Sequence, residues 1–240
     1  MAFDPQNQTV LRTGSRADSI SIDQGLRAHM LKVYNYMASG LALTGVVAMA
    51  TASSETMLNA IFGTPLSWVV MLAPLAFMLV LSFGINKLST TAAQGLFWAF
   101  ATVMGLSMAS IFLMYTGTSI ARVFFISAGM FAGMSLYGYT TKRDLSGFGS
   151  FLMMGLIGLL IAMVVNIFLQ SSALHFVISA AGVLIFVGLT AYDTQKIKSI
   201  YSEADGSATM TKKVIMGALT LYLDFINLFL MLLRLFGERR

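Results

Sequence analysis

Seven apolar runs, each close to the roughly 20 residues a helix needs to cross a bilayer, fill nearly all of the chain beyond its first thirty residues. They fall at 33–53, 66–86, 92–114, 119–141, 149–169, 174–194 and 213–236. The breaks between them are short and polar. Glu55 to Pro65 joins the first two, Asn86-Lys87-Leu88-Ser89 the second and third, and Gly117 lies in the next turn. Lys142-Arg143-Asp144 follows the fourth run and Gln170-Ser171-Ser172 the fifth; only 195–212, with Lys196, Lys198, Glu203, Asp205 and Lys212, reads as a substantial loop. The pattern predicts three short-looped hairpins and a final helix: an all-α integral membrane protein with seven transmembrane helices. No internal repeat is evident.

Residues 1–28 are polar, with Gly14, Ser15, Ser19 and Ser21 among scattered charges. They read as a mobile or interfacial cytoplasmic tail ahead of a membrane domain over 29–240. The tail has no apolar stretch of the signal-peptide kind, so no cleavable leader is expected. Within the spans, Ala101, Gly105 and Ala109 on the third and Gly129 and Gly133 on the fourth stand at the spacing that lets helix backbones approach closely. Ordinary tight packing accounts for this more simply than a dedicated dimer face. Pro74, in mid-span, predicts a kink in the second helix, a gate being the alternative.

Composition agrees with the pattern. The chain is 57% hydrophobic and 10% charged, against about 25% charged in soluble domains. It has no cysteine, which excludes disulfides, iron–sulfur clusters and thiolate zinc sites. His29 lies in the tail and His175 near the start of a span, so histidine ligation of a metal is not expected. The 18 methionines suit adaptable apolar packing. The net charge of +5 comes from Lys and Arg at span ends and implies no nucleic-acid partner. Arg12, Arg16, Arg27, Lys32, Lys87, Lys142, Arg143, Lys196, Lys198, Lys212 and Lys213 fall on one side, and Arg122, Arg234, Arg239 and Arg240 on the other. The positive-inside rule makes the first side, with the N-terminus, cytoplasmic. The C-terminal arginines run against that rule, so the last helix either crosses against its own charge or is re-entrant; crossing is the expectation.

Two carboxylates interrupt the last two apolar runs: Asp193 and Asp224. A carboxylate in hydrocarbon costs on the order of 3 kcal/mol on insertion scales, and such residues are kept for a proton, an ion or a partner charge. Asp224 is about eleven residues from Lys213 and from Arg234, near mid-depth, with Asn227 on the same helix face at i+3. Asp193 is three residues from Lys196 and lies toward the cytoplasmic end, where a solvated boundary carboxylate is the simpler reading. Against that, a helix C-terminus disfavours an anion without a partner. Two carboxyls brought together away from water titrate as a coupled unit. Protonated, they can share a hydrogen bond that holds the sixth and seventh spans together. Deprotonated, they repel and offer oxygens to a cation. Calcium prefers six to eight oxygens, so a site of Asp193, Asp224 and Asn227 would be weak and partly hydrated. Intramembrane aspartyl proteolysis is disfavoured: Tyr192-Asp193 fits half of that pattern, but Leu221-Tyr222-Leu223-Asp224 is not Gly-x-Gly-Asp and no proline follows Pro74. No serine–histidine pairing suggests a hydrolase, and no enzyme activity or cofactor is expected.

Residues 142–151 (KRDLSGFGSF), 188–198 (GLTAYDTQKIK) and 217–237 (GALTLYLDFINLFLMLLRLFG) resemble the Bax inhibitor-1 family, the transmembrane BAX-inhibitor-motif proteins, in its bacterial branch of YbhL- and YccA-like proteins. The resemblance covers the chain from about residue 25 onward. It implies six helices around a central C-terminal seventh, an inner-membrane location with the C-terminus opposite the N-terminus, and a pH-sensitive calcium leak with Asp193 and Asp224 as a proton-sharing sensor. Calcium is then the permeant ion rather than a cofactor. The chain departs from the family in one respect. Leak-type members latch the sixth-helix aspartate to an arginine at the cytoplasmic end of the second helix, whereas residues 82–89 here read SFGINKLS. Asn86 and Lys87 stand there instead, and Lys87 offers a point charge without the bidentate fork. Two other functions fit the sequence: a regulatory protein that binds membrane proteins or a quality-control protease through the tail and the 195–212 loop, and a proton-coupled solute transporter.

Overall fold

The computed structural model describes the backbone of residues 5–240 and the side chains of residues 24–240. Eight helices follow one another: α1 (Pro5–Ala52), α2 (Glu55–Phe62), α3 (Leu66–Gly84), α4 (Thr90–Met114), α5 (Gly117–Thr140), α6 (Ser146–Leu169), α7 (Ser172–Ser199) and α8 (Ser207–Phe236). All but the short α2 are long and apolar enough to span a membrane. The helices start where the breaks supply a side-chain oxygen for otherwise orphaned amides. Ser54, Ser89, Thr116 and Ser171 accept from the amides of Met57, Ala92, Ser119 and Leu174. Asp144 takes the Ser146 amide at 2.9 Å, and the Ser146 hydroxyl and amide hold its carboxyl below the usual carboxylate range. Gln170, with φ of 49°, ends α6 in the left-handed conformation that closes a helix.

Three boundaries differ from the hydropathy reading, and for one reason. The helix of the first span, α1, already holds Arg27 and Lys32 ahead of residue 33, and Met30 and Val33 are buried within it. At the other end of the chain, α7 runs on to Ser199 and α8 starts at Ser207, so the 195–212 loop contracts to 200–206. The loop lysines Lys196, Lys198 and Lys212 are helical, and three ammonium groups of this region sit on backbone carbonyls. Lys198 reaches Tyr139 O at 2.8 Å, Lys212 reaches Asn86 O at 3.2 Å and Lys213 reaches Ile200 O at 2.6 Å. Lys213 also pairs with Asp205. The remaining part of the expected tail, residues 1–23, has no described side chains.

The last helix is a continuous crossing, not a re-entrant loop. It runs from the α7–α8 turn to the opposite end of the bundle, where Arg239 bridges to Tyr115 in the α4–α5 turn. It is also central: 72% of its most apolar window is buried, against 11–44% for the other six spans. α1, α3, α4, α5 and α7 pack on α8, while α6 joins the bundle through α7.

Small residues set the close approaches, though not all at the expected places. Ala101, Gly105 and Ala109 are buried against α1, and a Cβ on Gly105 would meet Thr44 O at 2.7 Å. Gly129 and Gly133 instead face outward, with nothing within 4 Å of a Cβ. The buried stripe of α5 is Ser119, Val123, Ser127, Phe131 and Ser135, residues four apart on one face. It ends at Gly138, where a Cβ would lie 2.1 Å from Ala191 O of α7. α3 passes through the buried Pro74 without a break in the helix.

Two outcomes follow. Gly138→Ala is expected to cost about 1–3 kcal/mol by forcing α5 from α7, whereas Gly133→Ala stays within about 0.5 kcal/mol, measured by unfolding in detergent. Because the chain has no native cysteine, Ser202→Cys and Thr118→Cys report topology cleanly. A membrane-impermeant maleimide should label them from opposite sides, Ser202→Cys from the cytoplasm; labelling from one side contradicts seven crossings.

Candidate functional site

Four consecutive residues of α7, Tyr192-Asp193-Thr194-Gln195, point to four different neighbours, because each step along a helix turns about 100°. The Tyr192 ring lies on Gly149 of α6, where a Cβ would meet it at 2.4 Å. Asp193 turns to α8. Thr194 Oγ1 is 2.9 Å from Ser135 Oγ of α5, which is 2.6 Å from the Tyr34 hydroxyl of α1. Gln195 accepts from the Leu145 amide and donates to Arg143 O, each at 2.8 Å, clamping the α5–α6 turn. A short polar motif thus fixes α7 against α1, α5, α6 and α8.

The Asp193 and Asp224 side chains lie within hydrogen-bonding reach of each other. This partner separates Asp193 from the simple boundary carboxylate: it is half-buried, six residues before the end of α7, or about 9 Å inside. Asp224 is 5% exposed, and its Oδ2 is buried without a hydrogen-bond donor among the described residues. The charged groups that act on the pair are the two carboxyls themselves and the Lys196 ammonium, on the Asp193 side. Lys196 also sits 5.9 Å from the Tyr192 ring centroid.

The other expected residues stand apart. Asn227, though at i+3, donates to Leu223 O of its own helix at 2.8 Å. Asn86 and Lys87 are exposed in the α3–α4 turn. Among the described residues Lys87 forms no ion pair, and only the backbone oxygen of Asn86 is engaged, by Lys212. Nor do the described residues contain a group of three or more acidic or histidine side chains able to hold a metal.

Tyr222, not among the expected site residues, is fully buried and ties α8 to two helices. Thr44 Oγ1 donates to Ala101 O at 2.8 Å, so the Tyr222 hydroxyl, 2.7 Å away, donates to Thr44. Its ring meets Phe100 edge-on at 5.1 Å. The available signal was a hydroxyl-bearing ring two residues from Asp224 in a helix with few other polar groups. Thr194 and Ser135 were also missed; the eight-residue spacing of Ser119, Ser127 and Ser135 marks their face.

Comparison with known proteins accords with this architecture. The sequence model of the family described as "Inhibitor of apoptosis-promoting Bax1" matches residues 26–240. The inner membrane protein YbhL of Escherichia coli K12 is 49% identical over 229 residues, covering 94% of this chain and 98% of its own. Protein RP147 of Rickettsia prowazekii is 52% identical over 220 residues, covering 92% and 93%. A Caulobacter vibrioides protein is 48% identical over 235 residues, covering 94% of each. With its motifs on α5–α6, α7 and α8 in one packed bundle, the chain is a multi-pass membrane protein and belongs to the Bax inhibitor-1 family.

Proposed function

We propose that the protein is a pH-sensitive calcium leak of a bacterial inner membrane, with its N-terminus in the cytoplasm, gated by the Asp193–Asp224 pair. The observation that carries this reading is a carboxyl oxygen of Asp224, buried at the centre of the bundle without a donor among the described residues and facing a second carboxyl. Two ionised carboxylates at that separation repel strongly in a low dielectric, so the packed arrangement calls for one proton shared between them. Losing that proton places like charges on the facing sides of α7 and α8 and favours their separation. The same step exposes carboxylate oxygens to a passing cation, held weakly because the ligand set falls short of what calcium prefers.

The state held by the shared proton does not depend on an arginine latch. Lys87 stays at the surface, and closure falls to the α7–α8 contact itself, braced by Gln195 and Thr194 on one side and Tyr222 on the other. An inner-membrane location is supported by the name of the Escherichia coli relative.

Calcium flux into dye-loaded liposomes, followed across pH, tests this reading. Wild-type flux should change severalfold with pH, and Asp224→Asn, which mimics a permanently neutral carboxyl, should flatten that dependence. Asp193→Asn should act in the same direction, more weakly because Lys196 already acts on that carboxyl. Unchanged flux and pH response in both variants would remove the basis for the gate.

A further inference from the structure

One charge pattern remains outside this function. Arg122, Arg234, Arg239 and Arg240 gather at the end of the bundle that the positive-inside rule leaves poor in cations. Chain ends fray unless something ties them down, and this one is tied. Beyond α8 the backbone passes Tyr115 so closely that a Cβ on Gly237 would meet the ring at 2.6 Å. The Thr116 amide then donates to Glu238 O at 3.0 Å, the Glu238 amide to Ser119 Oγ at 2.9 Å, and the Arg240 amide to Met114 O at 3.1 Å. Arg122 pairs with Glu238 at 3.3 Å. The strap fixes where Arg239 stands.

Arg239 stands at a cavity of about 480 Å³ between the ends of α4, α6, α7 and α8. Arg234, His175 and Asn166 share its wall, and Met163, Ile167 and Ile178 make its apolar side. Of the acidic residues described at this end of the bundle, Glu55 and Glu238, the second is committed to Arg122. Neither Arg234 nor Arg239 has an ion-pair partner among the described residues. The α8 C-terminus supplies about half a negative charge near Arg234, which offsets part of one guanidinium and leaves the cavity positive. Two guanidinium forks lining one cavity suit a tetrahedral oxyanion, to which each can offer paired donors.

We propose that this cavity binds a phosphate group, presented either by an anionic phospholipid of the adjoining leaflet or by a free phosphate-bearing solute. The apolar wall accommodates a neighbouring acyl chain in the first case. Arg234 lies ten residues beyond Asp224 on α8, roughly 15 Å along the axis, so the site is separable from the aspartate pair and does not require conduction.

Two probes distinguish the sources. Native mass spectrometry of protein released from nanodiscs of mixed phosphatidylglycerol and phosphatidylcholine reads retained lipid, and calorimetry reads titrated inorganic phosphate. Selective retention of phosphatidylglycerol, lost at least tenfold in Arg234→Gln/Arg239→Gln but kept in Lys142→Gln/Arg143→Gln at the other end, identifies a lipid headgroup. Saturable binding of inorganic phosphate with the same variant pattern identifies a free ligand. Wild-type protein that binds neither probe, or a double variant that binds as tightly as wild type, overturns the proposal. If the double variant misfolds, His175→Gln leaves the strap intact and should weaken binding at least threefold; unchanged affinity there also overturns it.

Discussion

A carboxyl group in the middle of an apolar helix has nowhere to go in lipid, and much of this architecture follows from housing one. Asp224 sits on a 30-residue helix that hydropathy alone would place at the bilayer as readily as any other. Exposure there would cost several kcal/mol, and the remedy is to surround the helix with protein. α8 therefore occupies the axis, and its buried residues run almost continuously around it. The other spans keep ordinary amphipathic roles, one face toward α8 or α7 and the other toward lipid, as the many exposed Leu, Ile, Val and Phe side chains on α3 and α6 record.

Enclosing a helix this completely demands close packing and full use of polar groups. Several interior hydroxyls satisfy themselves locally: Ser127, Ser179, Thr190 and Thr220 donate to the carbonyl four residues earlier in their own helices. That leaves a small set free to bridge between helices. Tyr34–Ser135–Thr194 is one such bridge and Tyr222–Thr44–Ala101 another. Asp224 Oδ2 and both ring nitrogens of His29 are exceptions, buried polar atoms without a hydrogen-bond partner among the described residues. A buried carboxyl oxygen left unserved and facing a second carboxyl is a natural place for chemistry.

The sequence was a good guide where the physics is one-dimensional. Span number and order, the crossing of the last helix and the two aspartates all follow from hydropathy and from charge in the wrong solvent. It failed where an outcome depends on which face a residue takes. Gly129 and Gly133 have the right spacing, but α5 buries the serine face instead. Asn227 has the right spacing to Asp224, yet its amide finds a backbone carbonyl nearer than any partner across the bundle. The lysines near 196–198 and 212–213 looked like loop markers because hydropathy counts charge and not reach. The long stems of Lys198, Lys212 and Lys213 carry their ammonium groups to backbone carbonyls while the backbone stays helical. The hydroxyl bridges were invisible for a similar reason, since a serine in an apolar run reads the same whether it bonds its own helix or another.

The central place of α8 has a consequence for how the molecule is made. Chains emerge N-terminal end first, so the helix that the others enclose leaves the ribosome after all six of them. The earlier spans must enter the bilayer without their axis, with Thr44 still lacking the Tyr222 hydroxyl that it finally holds. The bundle therefore cannot close around its axis until α8 has entered the bilayer. Until then the half-made protein is a loose sheaf of helices, and a quality-control system that samples unfinished membrane proteins would meet it in that condition.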